Sequence, residues 1–297
     1  MTTTATPRLE AVVPRLGRSE RARLAGFAVG IVSLLALGVV VQALVVSPLK
    51  YQRDQDIAYE DFRYDLADGS APVGQVTAAD TLVPVGTPVA VLRVPRLGID
   101  DVVLAGTASS VLLSGPGHRR DTVLPGQAGA SVVMGRHSVA GGVFGTLDEL
   151  EVGDEITTIT GQGEATYRVA GLRRSGDPLP AAAGAGRLTL VSATGTPYLP
   201  EDVLRVDAEL VSEPFASPRP VLAPVLLEPA ERAFASDPGA WPWLLLSVLA
   251  LGSAVVLLSF LSGWWGRWHA WISVGPVVVL CGVVATHHLV TLLPNLV

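Results

Sequence analysis

The stretch VAVLRVPRLGIDDVVL, residues 89–104, shows the pattern that decides the fold. Two short aliphatic and β-branched runs, 89–94 and 102–104, flank a turn at 95–98 that contains proline and glycine. Such runs predict strands, and the turn residues predict where each strand ends. Further runs of the same kind lie at 131–134, 155–160, 166–170, 188–192 and 203–211.

These strands predict one mainly β domain at residues 89–211, which is an ordinary size for a single domain. Many strands and few helical patterns favour a mixed or antiparallel barrel, and only residues 145–150 inside it predict a helix. Residues 47–88 predict a helix at 50–68 followed by a linker. Residues 212–240 are rich in proline and predict an extended linker rather than a folded segment.

The composition indicates a membrane protein. Of the 297 residues, 49% are hydrophobic and 16% are charged, and the mean hydropathy is positive, which is high for a soluble protein. Three apolar runs, at 24–46, 241–262 and 271–293, match the roughly 20 residues that a transmembrane helix needs. A cleaved signal peptide is the alternative for the first run, but that run exceeds the usual apolar core of about 7–15 residues.

The distribution of arginine predicts the orientation of these spans. Several arginines precede the first span, so the positive-inside rule places residues 1–23 in the cytoplasm. The short connection at 263–270 carries Arg267 and is expected on the same side, with tryptophans at both ends of the second span. The predicted protein is therefore multi-pass, with its N-terminus in the cytoplasm and its β domain and C-terminus outside.

Several classes of function are disfavoured by the sequence. The net charge of -6 and the scattered basic residues argue against a nucleic-acid partner. The single cysteine, Cys281, lies in an apolar run and excludes an intramolecular disulfide or a multi-cysteine metal site. No phosphate-binding loop motif occurs. We therefore predict no cofactor and no metal.

Three other groups of residues allow more than one interpretation. His287 and His288 lie in the third span, where an ionisable side chain is costly; they are a functional candidate or neutral imidazoles near the interface. His118, in a turn, is interpreted as structural. The third group consists of the acidic residues Asp148, Glu149, Glu151, Asp154 and Glu155. They form a solvated turn or contribute to calcium binding, although they lack an EF-hand pattern.

Six segments of the β domain, taken in order and spacing, resemble a known family. They are VAVLRVPRLGI from 89, VLLSGPGHRRDTVLPGQAGASVVMG from 111, FGTLDELEVGDEI from 144, YRVAG from 167, LTLVSATG from 188 and VLRVDAEL from 203. Together they resemble the sortases, cysteine transpeptidases of Gram-positive surfaces, and most closely the class E-like sortases of actinobacteria. The resemblance implies an eight-stranded β-barrel outside the plasma membrane, facing the cell wall, and the full fold prediction is this barrel plus three transmembrane α-helices.

Sortase chemistry uses a cysteine thiolate that attacks a peptide carbonyl, a histidine for proton transfer and an arginine that stabilises negative charge. The resemblance aligns the histidine with Arg136, the cysteine with Ala193 and the arginine with Val203. All three positions are therefore expected to be catalytically degenerate.

The nearest replacements are Ser192 or Thr194 as nucleophile, His137 as base and Arg205 as oxyanion partner. Strand alternation argues against catalysis by Ser192, Thr194 and His137. Each is adjacent to an aligned position, and neighbouring residues of a strand point to opposite faces. The sequence thus favours a pseudosortase that binds a sorting-signal-like peptide or a cell-envelope protein. The alternatives are a divergent transpeptidase or peptidase, and a structural membrane scaffold with a closed groove.

Overall fold

The computed structural model describes residues 33, 36–38, 40–77, 79–179, 184–196, 199–218, 222–232, 235 and 239–296. The cytoplasmic tail predicted at 1–23 lies outside the described residues, as does most of the first predicted span. The last part of that span is helical and includes a π-helical segment, Gln42–Val46, that continues into the first long helix.

Four α-helices and eight strands make up the described chain. The helices are α1 (Ser47–Asp68), α2 (Ser109–Leu112), α3 (Ala240–Trp264) and α4 (Arg267–Thr291). The strands are β1 (Pro88–Val94), β2 (Ile99–Ala105), β3 (Gly117–His118), β4 (Gly129–Met134), β5 (Glu155–Thr160), β6 (Gly163–Arg173), β7 (Gly186–Thr196) and β8 (Leu199–Leu210).

The strands form a closed barrel in the order β1-β2-β3-β4-β7-β8-β6-β5, and β1 pairs with β5 to close it. This arrangement confirms the predicted eight-stranded barrel. The pairs β2–β3 and β4–β7 are parallel, and the other pairs are antiparallel. Inward-facing residues such as Leu92, Ile156, Leu188, Leu190 and Val206 fill the interior, as alternation along each strand requires.

Two local predictions inside the barrel were wrong. The helix expected at 145–150 is only a 3₁₀ turn, Leu147–Glu149, and α2, which was not predicted, forms at Ser109–Leu112. His118, expected in a turn, belongs to the two-residue strand β3, Gly117–His118. Elements of two to four residues are too short to show a hydrophobic period, so their formation depends on the neighbouring strands.

Helix α1 covers one side of the barrel, close to the helix predicted at 50–68. Phe62 is fully buried and packs with Ala58 against Val91 and Leu104. Gln55 adds a polar connection, because its side-chain oxygen accepts from the Val102 N–H at 2.7 Å. Its amide nitrogen donates to the carbonyl oxygens of Val102 (3.2 Å) and Ser114 (2.9 Å). The helix therefore completes hydrogen bonds that the adjoining strand leaves open.

The proline-rich segment, predicted as an extended linker, has little regular structure but packs against the barrel. Phe215 pairs with Gln127 in an isolated parallel bridge and contacts the barrel core. Glu231 lies in a 3₁₀ turn, Pro229–Glu231, and its nearly inaccessible carboxylate accepts from Arg120 at 2.8 Å. These contacts fix the segment beside the barrel.

Helices α3 and α4 form an antiparallel hairpin. The stretches Ala240–Trp264 and Trp268–Thr291 are long and apolar enough to cross a membrane, in agreement with two of the three predicted spans. Leu251, Ala254 and Val274 pack between them. The first predicted span is largely outside the described residues and stays a prediction. Its described end approaches α4, where a Cβ on Gly38 would lie 3.0 Å from the Thr286 methyl group.

We predict that Gln55→Ala destabilises the chain by about 1–3 kcal/mol, because it leaves the buried Val102 N–H and the Ser114 carbonyl without their partner. Chemical unfolding of the detergent-solubilised chain, followed by circular dichroism, measures this change. Gln52→Ala, at an exposed position on the same helix, is the matched control and should have little effect. Equal stability of the two variants would contradict the assignment.

His118 should make the barrel sensitive to acid. Its Nε2 lies 2.8 Å from the Val123 carbonyl oxygen, and burial lowers the pKa of the imidazole to about 4. The folded state therefore binds fewer protons than the unfolded state below the ordinary histidine pKa of about 6.5. Stability is lost as the pH falls from that value toward 4.

We expect the free energy of unfolding to fall by about 2 kcal/mol through this group between pH 7 and pH 5. His118→Gln lacks the titrating ring, so its stability should vary less over the same interval. Unfolding curves of both proteins at the two pH values provide the measurement. Parallel pH dependences would show that another group is responsible.

Candidate functional site

The barrel topology gathers at one edge the three positions predicted to be degenerate. Because β4 and β7 are parallel and in register, their C-terminal ends lie side by side. Ala193, near the end of β7, pairs with Val203 of the antiparallel strand β8. Arg136 follows the end of β4 by two residues, after Gly135 donates its N–H to Val191 at 3.0 Å. The pairing thus explains why these separate parts of the sequence meet.

Ala193 faces an apolar cluster and not open solvent. Only 2% of its surface is exposed. The members of the cluster are Leu112, Met134, Val191, Ala193, Val203 and Leu296. Leu296 comes from the segment that follows α4 and is itself fully buried. The chain therefore covers the Ala193 position with its own residues.

Hydrogen bonds hold this C-terminal tail, residues 292–296, in place. The His137 N–H donates to the Leu296 carbonyl oxygen at 3.0 Å. The Asn295 side chain donates to the carbonyl oxygens of Ala230 (2.6 Å) and Arg232 (2.7 Å), and its backbone N–H donates to Ala235 at 3.0 Å. The tail consequently joins the barrel edge to the proline-rich segment.

Arg136 is fully buried beside this tail. Its guanidinium donates to the Ser109 hydroxyl at 2.6 Å, and that hydroxyl donates to the Thr291 carbonyl oxygen at 2.9 Å. Burial lowers the pKa of Arg136 to about 10, which still leaves the side chain protonated at neutral pH. A protonated guanidinium donates hydrogen bonds but does not accept a proton from a nucleophile.

The structure does not place the candidate nucleophiles in the position of Ala193. Ser192 is fully buried and pairs with Leu204, whose side chain belongs to the barrel interior. Within the described chain its hydroxyl has no hydrogen-bond partner. Thr194 is half-buried and lies on the strand face opposite to Ala193. Strand alternation therefore directs the Ser192 side chain into the barrel interior, away from the face that Ala193 occupies.

A cavity of about 400 Å³ continues from the Ala193 cluster along the outer face of the barrel. Its lining residues are Arg119, Ala130, Val132, Met134, Arg173, Leu179, Arg187, Thr189, Val191, Arg205, Leu227, Glu231 and Arg232. Arg205, opposite Val191 in the strand register, is the one predicted replacement among them. His137 is half-buried and does not line this cavity. Its Nδ1 is buried with no hydrogen-bond partner among the described residues.

The remaining candidates lie away from this cavity. Arg96 lies 2.5 Å from Glu151 and 3.4 Å from Asp154, so the acidic turn is partly neutralised by an arginine. Within the described ranges, no three histidine, cysteine, aspartate or glutamate side chains are arranged to hold a metal ion. His287 and His288 lie on α4 with ring centroids 5.6 Å apart.

Sequence reasoning missed Ser109, Asn295 and Leu296. Ser109 lies in a short helix, and the two tail residues follow a predicted transmembrane helix. None of them belongs to a recognisable motif, because their importance comes from contacts with segments that are distant in the sequence.

Comparison with known proteins finds a family that is similar to the β domain. Residues 92–198 match the family model of the sortase domain; this range includes Arg136 and Ala193 and ends before Val203. Sortase D of Bacillus subtilis (strain 168) is 30% identical over 79 residues, which cover 27% of this chain and 38% of that relative. The match thus spans well under half of the relative's length.

Solved sortase structures are also similar to the chain. A Clostridium perfringens sortase D5 transpeptidase is 21% identical, with 55% of this chain and 98% of that chain covered and a TM-score of 0.43. Sortase E from Streptomyces avermitilis is 31% identical, with 44% of this chain and 91% of that chain covered and a TM-score of 0.38.

The covering of Ala193 can be tested with a thiol. In a Cys281→Ala background, we expect Ala193→Cys to react with a maleimide at least about tenfold more slowly than Thr196→Cys, an exposed position on the same strand. Adding Leu296→Asp should displace the tail and accelerate labelling of Ala193→Cys. Leu226→Asp, at an exposed leucine, is the control for this second change. Fast labelling of Ala193→Cys without displacement of the tail would contradict the covered site.

Proposed function

We propose that the chain, whose residues 92–198 belong to the sortase family, is a membrane-anchored pseudosortase that binds an extended peptide, such as a segment of a cell-envelope protein. The observation that carries the proposal is Ala193, which takes the place expected for the nucleophile and is buried in one apolar cluster with Leu296. A methyl group has no electron pair for attack on a carbonyl. The buried site also lacks the access that a peptide bond would need.

The neighbouring positions support the same conclusion. Arg136 is protonated and donates to Ser109, so it does not replace a histidine in proton transfer. Val203 presents an apolar side chain within the cluster and offers no donor to an oxyanion. For scale, removal of the nucleophile of a serine protease lowers turnover by about 10⁶, or roughly 8 kcal/mol of barrier.

A divergent transpeptidase is less well supported. It would require Ser192 or Thr194 to reach a substrate together with His137 and Arg205. Ser192 lies on the interior side of its strand, and the cavity lining includes Arg205 but none of the other three residues. The four replacements are therefore not assembled around one open space.

The closed Ala193 position also favours a purely structural scaffold, the second alternative. A scaffold has no need for an open groove, whereas the cavity beside Ala193 remains about 400 Å³ in volume, which is within the range of ligand sites. The neighbouring tail shows that peptide groups fit at this edge, since the His137 N–H binds the Leu296 carbonyl. Peptide binding accounts for both the open cavity and the main-chain hydrogen bond at this edge.

The proposed topology has three spans in the plasma membrane of an actinobacterial cell, with the barrel and the C-terminus outside. Support comes from the α3–α4 hairpin, because the segment before it and the tail after it both contact the barrel domain. Both ends of the hairpin therefore lie on the barrel side, and its tip, near Trp265, lies on the other. The N-terminal run enters α1 directly, which supports a cytoplasmic N-terminus if that run crosses the membrane.

We expect the full-length chain in detergent to show neither hydrolysis nor transpeptidation of a library of sorting-signal peptides above the background without protein. Ala193→Cys alone should stay at background, since Arg136 and Val203 are still replaced. Mass spectrometry of the products measures both reactions, and fluorescence anisotropy measures peptide binding in the same samples.

Ser192→Ala and Thr194→Val are the decisive controls. Turnover by the unaltered chain that either substitution abolishes would overturn the non-catalytic proposal and identify a new nucleophile. Absence of both turnover and peptide binding would favour the structural scaffold instead.

A further inference from the structure

The cavity beside Ala193 has an unusual charge for this chain. Five arginines and a single glutamate line it, although the chain as a whole has a net charge of -6. Its floor is apolar and includes Val132, Met134 and Val191. The combination of a cationic rim and an apolar floor matches a ligand that carries both anionic and apolar groups.

Internal ion pairs account for only part of this positive charge. Arg173 pairs with Asp207, which also accepts from the Thr189 hydroxyl at 2.7 Å. Arg119 donates to Asp121 at 2.8 Å, and Glu231 is used by Arg120 in a two-pronged pair. The acids near the cavity thus already have partners.

Arg205 and Arg232 are the cations left over. Neither side chain has an ion-pair partner within the described part of the chain. Arg205 is half-buried, and it lies directly opposite Arg173 in the β6–β8 register. Asp207 already neutralises Arg173, so the half-buried guanidinium of Arg205 is the charge left to pair with an external anion.

The C-terminal tail shows how a peptide backbone is bound next to the cavity. Next to the cavity, the His137 N–H at the barrel edge donates to the Leu296 carbonyl oxygen, and the Asn295 N–H donates to the Ala235 carbonyl oxygen of the proline-rich segment. One backbone group of the barrel edge and one of the adjoining segment thus bind a peptide main chain. The apolar floor suits hydrophobic side chains, and arginine binds carboxylates through paired hydrogen bonds.

We propose that the cavity binds an extended acidic peptide, with a glutamate or aspartate side chain held by Arg205 and Arg232 and its neighbouring apolar residues on the more accessible Val132, Leu179 and Leu227. This assignment rests on the proposed peptide-binding function and names its ligand class. The acidic side chain is the determinant of recognition, and the apolar residues add affinity.

The test measures binding of labelled short peptides to the full-length chain in detergent by fluorescence anisotropy. The peptides alternate apolar residues with glutamate, and matched peptides carry glutamine instead. We expect the glutamate peptides to bind at least about tenfold more tightly, and their affinity to fall as salt is raised. Equal affinity for the two sets would overturn the inference.

Substitutions locate the binding site. Arg205→Gln should weaken binding of the acidic peptide about tenfold, and Arg232→Gln should weaken it to a smaller extent because that side chain is exposed. Arg53→Gln, at an exposed arginine of α1, is the matched control and should leave affinity unchanged. Arg205→Lys keeps the positive charge, so it should bind the acidic peptide more tightly than Arg205→Gln. Circular dichroism checks that both variants are folded.

Further outcomes separate this inference from the proposed function. Retention of full affinity in folded Arg205→Gln would overturn the assigned site. Binding of a phosphate polymer in place of all acidic peptides would overturn the ligand class while leaving the non-catalytic proposal intact. Catalytic turnover by the unaltered chain would instead overturn the pseudosortase proposal, whatever peptides bind.

Discussion

In a closed barrel, parallel pairing of β4 with β7 brings the carboxyl ends of both strands to the same edge, and antiparallel β8 begins there as well. The relative positions of Arg136, Ala193 and Val203 follow from this pairing. Side-chain alternation then separates the two faces, so that Ala193 and Val203 point to an outer cluster while Ser192 faces the interior. A one-residue shift in register would reverse these faces. The strand register therefore determines which side chains reach the outer cluster and which face the barrel interior.

The C-terminal tail packs beside Ala193, the position that aligns with the nucleophile of the sortases. An open groove with alanine in place of cysteine would still expose its apolar lining to water. Here Leu296 joins Met134, Val191 and Ala193 in one buried cluster, which removes that surface from solvent. Asn295 and Ser109 supply polar partners for neighbouring carbonyl groups, and these bonds limit the cost of burying the tail. Ala193 is thus part of a packed interface.

The same interface connects the barrel to the apolar α3–α4 hairpin. Ser109 links Arg136 to the last turn of α4, and Asn295 links the tail to the segment that precedes α3. Movement of the hairpin relative to the barrel would break several of these hydrogen bonds together. The arginine-lined cavity begins beside this junction, so occupation of the cavity and the position of the tail share neighbouring residues such as Met134 and Val191.

The sequence by itself determined the β character of residues 89–211, the apolar runs at 241–262 and 271–293, and the absence of cysteine from the aligned position Ala193. These features are local, since strand pattern, span length and residue identity are visible within short windows. It also indicated that Arg205 shares a strand face with Val203, because that relation depends only on alternation. Only the tertiary structure decided that Leu296 covers Ala193, that Arg136 is buried against Ser109, and that arginines of several strands line one cavity. These contacts join distant positions, such as Ser109 and Thr291, which are 182 residues apart, and no local pattern encodes such a meeting.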